Sequence, residues 1–144
     1  ANIHDVLDEA LAQARDRIEL NHIKVEKHYE DNICEIMLDK DKIRLAFLNI
    51  IVNAIEAMEK DSGVLKITTS KQGNKCLVEF SDNGTGMDEE TLQNLFEPYF
   101  TRKIKGNGLG LTNTQNIILN HKGNISVRSG IGHGSSFIVT LGLG

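Results

Sequence analysis

One segment, residues 43–58, constrains the fold of this 144-residue sequence more than any other. Twelve of its sixteen residues are apolar. This composition predicts a helix over residues 40–60 that is apolar nearly all round and therefore buried. The polar residues in the segment are Arg44, Asn49, Asn53 and Glu56. At about 100° per residue, the last three of these lie within roughly a 60° wedge of the helix surface.

The remaining sequence predicts layers that can cover this helix. Helical spacing of apolar residues predicts helices, which cover residues 2–20, 88–95 and 109–121. Short or alternating apolar runs predict strands, which cover residues 23–29, 33–38, 64–70, 75–82, 124–129 and 135–141. A turn is expected at 71–74 and an irregular loop at 96–107. The pattern is typical of a single α+β domain spanning residues 1–144, a two-layer sandwich whose mixed sheet is covered on one face by helices.

Composition argues against several classes of function. The net charge of −4 disfavours nucleic acid as a partner. No apolar run approaches the roughly 18 residues of a membrane span, and the first ten residues do not resemble a signal peptide. Cys34 and Cys76 form no CxxC pair, which favours reduced thiols over a disulfide or a zinc site. We therefore expect a cytoplasmic domain that contacts neither nucleic acid nor membrane, whether or not its parent protein is membrane-anchored.

The polar stripe of the long helix, Asn49, Asn53 and Glu56, needs partners, because an unpaired buried amide costs about 1–3 kcal/mol. One interpretation is that these side chains bond neighbouring backbone. The other is that they face a ligand with polar groups, with or without a metal. An asparagine amide oxygen suits Mg²⁺, which keeps waters and phosphate oxygens among its ligands.

The segment SDNGTGM, residues 81–87, ends a predicted strand. Asp82 lies on the same strand face as apolar residues, and a carboxylate that faces a core demands a hydrogen-bond donor. The exocyclic amine of adenine is such a donor. Gly84 and Gly86 allow backbone to approach a flat base, and Met87 can pack on it. The alternative is an ordinary Asn-Gly turn.

Two glycine-rich segments follow. Gly106, Gly108 and Gly110 precede or open a predicted helix, where free N–H groups and the helix dipole favour phosphate. The alternative is a flexible surface loop, and the spacing matches neither a P-loop nor a dinucleotide-binding motif. In the turn 130–135, Ser135 or a backbone N–H could reach a phosphate. The alternative there is a plain hairpin turn.

The order of these segments resembles the catalytic ATP-binding domain of sensor histidine kinases. That domain belongs to the superfamily of gyrase, the large heat-shock chaperone and mismatch-repair ATPases, which share the Bergerat-type fold. The matching boxes are LNIIVNAIEAM (48–58), SDNGTGM (81–87), LFEPYFTRK (95–103), GNGLGL (106–111) and GHGSSF (132–137). Together they cover about residues 20–142.

The resemblance implies ATP and Mg²⁺ as ligands, and it implies roles at matching positions. Asn53 would ligate the metal, Asn49 would approach the phosphates, and Asp82 would bond the adenine amine. Residues 88–107 would form a mobile lid. The full set of implied ATP-binding residues is Asn49, Asn53, Ala57, Asp82, Gly84, Gly86, Met87, Lys103, Gly106, Gly108, Leu109, Gly110, Leu111 and Ser135.

Two features choose among relatives in this superfamily. Hydrolysing branches carry a glutamate four residues before the metal-binding asparagine, and that position here is Asn49. The family's phosphoacceptor helix, with a histidine, an acidic residue and a nearby proline, is missing, and His4 is interpreted as a surface residue. We therefore expect a histidine kinase catalytic domain whose acceptor histidine lies on a separate domain of the same kinase and whose product passes to a response regulator. No catalytic residue is assigned on this chain. The alternatives are an anti-sigma serine kinase and a nucleotide-sensing domain without transfer.

Overall fold

The helices and strands lie close to their predicted positions in the computed structural model, which describes residues 2–31, 39–94 and 108–142. The helices are α1 (Ile3–Gln13), α2 (Arg15–Leu20), α3 (Lys40–Ala57), α4 (Glu89–Asn94) and α5 (Gly108–Asn120). The strands are β1 (Lys24–Tyr29), β2 (Val64–Gln72), β3 (Lys75–Asp82), β4 (Asn124–Ser129) and β5 (Ser135–Gly142). The predicted strand 33–38 and the predicted loop 96–107 lie outside the described residues.

The five strands form one mixed sheet in the order β1-β2-β3-β5-β4. β1 runs parallel to β2, and the other neighbours pair antiparallel. Gln72 pairs with Lys75, so the predicted turn is a two-residue hairpin connection. Gly73 has a φ of 60°, a left-handed conformation that such tight turns require. The α+β class and the mixed sheet are confirmed.

The core lies between the sheet and the helices α1, α3 and α5. Along β3, burial alternates so that every second residue from Cys76 to Asp82 is buried. Phe80 packs on Phe47 of α3, with ring centroids 5.5 Å apart. Asp82 is therefore on the core face, as its place in the strand predicted.

Two predictions about the helices were wrong in detail. The predicted helix 2–20 is broken at Ala14, whose N–H bonds the carbonyls of both Ala10 and Leu11 and tightens the last turn of α1. The long helix is not buried all round: Leu45 is 47% exposed. The sheet lies on one side of α3, and the helices α1 and α5 lie beside α3. Within the described residues, no third layer covers the side of α3 that faces away from the sheet.

His4 is a further correction. It is half-buried rather than a plain surface residue. Its ring stacks on Tyr29 with centroids 4.4 Å apart, and Nε2 lies 2.9 Å from the Thr69 hydroxyl. Burial lowers the pKa of His4 below its ordinary value, an effect that Asp8, Asp5 and Asp31 oppose. The ring therefore fastens α1 to the sheet.

Among the described residues, no helix combines the length and the apolar character that crossing a membrane would require.

Candidate functional site

The predicted polar stripe lies on α3 as expected, with Asn49, Asn53 and Glu56 all half-buried. The amide nitrogen of Asn53 donates to the carbonyl oxygen of Asn49, 2.7 Å away. The amide nitrogen of Asn49 lies 3.4 Å from the hydroxyl of Thr114 on α5. Thr114 is fully buried. Bonding to neighbouring backbone, the plainer of the two interpretations, is thus correct for the amide nitrogen of Asn53, whereas the amide nitrogen of Asn49 faces a side-chain hydroxyl.

These bonds also orient the Asn53 side chain. A backbone carbonyl only accepts hydrogen bonds, so the atom of Asn53 that faces it must be the nitrogen. The amide oxygen is then the end left to face outward from α3. A hard oxygen donor on a half-buried helix face fits Mg²⁺, provided that phosphate oxygens and waters complete the coordination.

Asp82 ends β3 and is 9% exposed. Its carboxylate accepts a hydrogen bond from the Gly84 N–H at 2.8 Å and another from the backbone N–H of Ser135. Burial raises the pKa of Asp82 above its ordinary value, and the two backbone hydrogen bonds lower it by less. The carboxylate is held firmly on one side and remains poorly solvated, so a further donor from a ligand would stabilise its charged form.

The loop after β3 is pressed against two other parts of the chain. The N–H of Thr85 bonds the carbonyl of Ala57 at the end of α3, and the Thr85 carbonyl accepts from Gly132. A Cβ on Gly84 would lie 2.4 Å from the Ala57 oxygen, and one on Gly86 would lie 2.0 Å from the Gly130 oxygen. Glycine is therefore required at both positions, because protein backbone occupies the space that a Cβ would need. The sequence alone did not reveal this reason.

Ser135, for which a phosphate contact is predicted, lies beside Asp82. It is 6% exposed and lies in register with Asp82 across the sheet, so it belongs to the Asp82 end of the site. Its hydroxyl lies 2.8 Å from that of Ser129. Ser129 also accepts from the Met87 N–H at 2.8 Å and donates to the Gly134 carbonyl at 2.9 Å.

Ser129 was not singled out in the sequence. Its only signal there is a polar residue on the core-facing register of β4, at the end of the strand.

The predicted phosphate site is described only in part. α5 begins at Gly108, so Gly108, Leu109 and Gly110 form its first turn, as predicted. Leu111 is 3% exposed and belongs to the hydrophobic core, which makes it a support for this turn. Lys103 and Gly106, and most of the predicted lid, lie outside the described residues. Ala57, at the end of α3, is half-buried beside the loop after β3.

Comparisons with known proteins show the family and the fold of this chain. The family described as histidine kinase-, DNA gyrase B- and HSP90-like ATPase matches residues 38–144. Sporulation kinase C of Bacillus subtilis is 38% identical over 125 residues, which is 86% of this chain and 29% of that protein. Sensor histidine kinase ZraS of Escherichia coli is 39% identical over 111 residues, 77% of this chain and 24% of that protein. This chain thus spans less than a third of the length of either relative.

A solved structure of the catalytic domain of histidine kinase ThkA superposes with a TM-score of 0.88 at 27% identity. The superposition covers 99% of this chain and 93% of the ThkA domain. The whole described fold is thus shared with one known catalytic domain.

Proposed function

Because this chain belongs to the family of histidine kinase-, DNA gyrase B- and HSP90-like ATPases, as an ATP-binding domain of the sensor histidine kinase type, we propose that it binds ATP with Mg²⁺ and presents the γ-phosphate to a histidine. That histidine lies on a separate dimerisation domain in a two-component system. The observation that carries the proposal is the buried Asp82 carboxylate, held by two backbone N–H groups next to a helix that bears Asn53.

At the Asp82 end, the base of ATP is recognised. A buried carboxylate that already accepts two backbone bonds gains a charge-assisted bond from the adenine amine. Guanine presents a carbonyl oxygen at the corresponding position, which would face the carboxylate without a proton. Gly84, Gly86 and Met87 line the base, and Met87 lies partly buried against the core.

At the other end, Asn53 holds Mg²⁺ through its amide oxygen and Asn49 approaches the phosphates. The metal supplies charge neutralisation of the phosphate oxygens. The first turn of α5, from Gly108 to Gly110, offers backbone N–H groups and the positive end of the helix dipole to phosphate. Lys103 and Gly106, which lie outside the described residues, would contact the phosphates as the family resemblance implies.

The chemistry rests on positioning. A nitrogen of the acceptor histidine attacks the γ-phosphorus, an N–P bond forms, the bond to the bridging oxygen breaks, and ADP leaves. Asn49 stands where a hydrolysing relative would have a glutamate, so no carboxylate at that position activates water. His4 is unsuited to the acceptor role, because its ring is stacked on Tyr29 and bonded to Thr69.

The partners that follow are the phosphoacceptor domain of the same kinase and, downstream, a response regulator, both in the cytoplasm. An anti-sigma serine kinase would use the same pocket with a protein serine as acceptor. A nucleotide sensor would bind ATP and transfer nothing. The three functions differ in the fate of the γ-phosphate.

The test follows that phosphate. The chain is incubated with γ-labelled ATP and Mg²⁺, alone and with the helical phosphoacceptor domain of its parent kinase added in trans. We expect slow hydrolysis alone, and weak transfer to the added domain because the covalent tether is absent. The product should be acid-labile, as a phosphohistidine is. Rapid turnover by the isolated chain would assign it to the ATPases, and an acid-stable product would assign it to the serine kinases.

A further inference from the structure

The Ser129 hydroxyl contacts both glycine-containing loops of the site, the loop after β3 and the β4–β5 turn. It accepts from the backbone N–H of Met87 and donates to the carbonyl of Gly134. Since a hydroxyl has one proton, the Ser135 hydroxyl must be the donor in the 2.8 Å contact between the two serines. The oxygen then accepts twice and donates once, so its full hydrogen-bonding capacity is used by protein groups.

This arrangement joins two parts of the site. Met87, which is proposed to line the base, is held through its backbone N–H by Ser129. Ser135, bonded to Ser129 through its hydroxyl, also donates its backbone N–H to the Asp82 carboxylate. A continuous path of hydrogen bonds therefore leads from Asp82 through Ser135 and Ser129 to Met87.

We propose that Ser129 is a positioning residue that couples recognition of the base at Asp82 to the placement of Met87. The inference rests on the proposed ATP binding. Ser129 does not touch the nucleotide. It fixes the backbone of Met87, whose side chain lines the base, so that a base bonded to Asp82 steadies Met87, and a well-placed Met87 slows the departure of the nucleotide.

The fold supports a fixed junction at this point. Gly86 has a φ of 75°, and its Cβ position is blocked by the Gly130 carbonyl. The Gly132 N–H bonds the Thr85 carbonyl at 2.9 Å. The loop after β3 and the β4–β5 turn are thus in backbone contact at Thr85 and Gly86, just before Met87. Ser129 bonds the backbone N–H of Met87 itself.

The test compares Ser129→Ala with Ser126→Ala. Ser126 lies on the same strand, is exposed, and points to the opposite face of the sheet, so its variant is a matched control. Two quantities are measured: the hydrogen exchange rate of the Met87 amide without nucleotide, and the affinity and dissociation rate of Mg²⁺-ATP. In Ser129→Ala we expect the Met87 amide to exchange about tenfold faster and ATP to dissociate about tenfold faster, the cost of one buried bond left unmade. Ser126→Ala should match the wild type in both.

A second variant separates coupling from a general loss of structure. Ser129→Thr keeps the hydroxyl and should restore the exchange rate of Met87. In the background of Asp82→Asn, the effect of Ser129→Ala on ATP affinity should shrink by at least about threefold, the sign of two coupled sites. Additive effects, or an unchanged Met87 exchange rate in Ser129→Ala, would overturn the inference. A wild-type chain that fails to bind ATP would instead overturn the proposed function.

Discussion

At the Asp82 end of the site, protein groups already bond one another, whereas the Asn53 end is proposed to be completed by a metal and phosphates. Asp82 accepts from Gly84 and Ser135, and the loop after it is bonded to Ala57 and Gly132. Asn53 is oriented by a single bond within its own helix. One end is preorganised by the fold, and the proposed role of the other depends on metal and phosphates.

This difference separates the effects that substitutions should have. At the Asp82 end, function and folding use the same backbone contacts, so a change there alters both. At the Asn53 end, the proposed metal ligand is the amide oxygen, whereas the hydrogen bond within the helix uses the amide nitrogen. Substitution of Asn53 should therefore remove function and leave stability nearly unchanged.

Asn53→Ala should have the largest effect on function and almost none on the fold. Loss of the metal ligand should lower phosphotransfer to the added phosphoacceptor domain to background. The free energy of unfolding should change by less than about 1 kcal/mol, because alanine favours the helix and offsets the lost side-chain bond. Label transfer and thermal unfolding measure the two quantities. A variant that unfolds, or one that still transfers at the wild-type rate, would break the contrast between the two ends.

Gly86→Ala tests the opposite end, with Gly73→Ala as its control. Both glycines have positive φ, so both substitutions cost about 1–2 kcal/mol of left-handed strain. Only Gly86 also has a carbonyl 2.0 Å from the added Cβ, whereas nothing lies within 4 Å at Gly73. Overpacking should add about 1–3 kcal/mol at Gly86 alone. Denaturant unfolding of the two variants isolates this difference, and equal losses would mean that the loops are not locked together.

The sequence predicted most of this fold, because its signals were local. The alternation along β3 placed Asp82 on the core face, and the glycine after Gln72 predicted the hairpin. The break at Ala14 carries no such signal, since alanine is a good helix former and only the geometry of the end of α1 produces the break. Exposure of Leu45 depends on how many layers the fold has, which no single helix reveals.

For the candidate site, the sequence predicted the positions of residues in the fold better than their contacts. Asn53 and Asp82 lie on the predicted helix face and strand face, yet Gly84 and Gly86 were assigned to a ligand when backbone packing also demands glycine there. Ser129 could not be found, because its importance arises from Met87 and Gly134, which are 42 and 5 residues away in the chain. Contacts of that kind are decided by tertiary structure.

The smallest predicted effect concerns Asp82, where function and stability should change in opposite directions. Asp82→Asn should weaken ATP binding by about 1–3 kcal/mol, the loss of a charge-assisted bond to adenine, and should narrow the preference for ATP over GTP. It should slightly raise the free energy of unfolding at neutral pH, because the buried charge is gone while the amide oxygen can still accept from the N–H of Gly84. Calorimetric titration and denaturant unfolding provide the two measurements.

The pH dependence of stability and of ATP affinity tests most directly whether Asp82 serves binding or folding. Folding raises the pKa of Asp82 above 3.8, its ordinary value in an unfolded chain. The folded state therefore binds this proton more tightly than the unfolded state does. Between 3.8 and the raised pKa, the contribution of Asp82 to stability therefore increases as the pH falls, and it is lost as the pH rises through the folded pKa. ATP affinity should do the reverse, because protonation removes the charged acceptor for adenine. The difference between wild type and Asp82→Asn isolates both trends from other acidic groups. Stability and affinity that rise and fall together across this range would show that Asp82 is a structural carboxylate and that the base is recognised elsewhere.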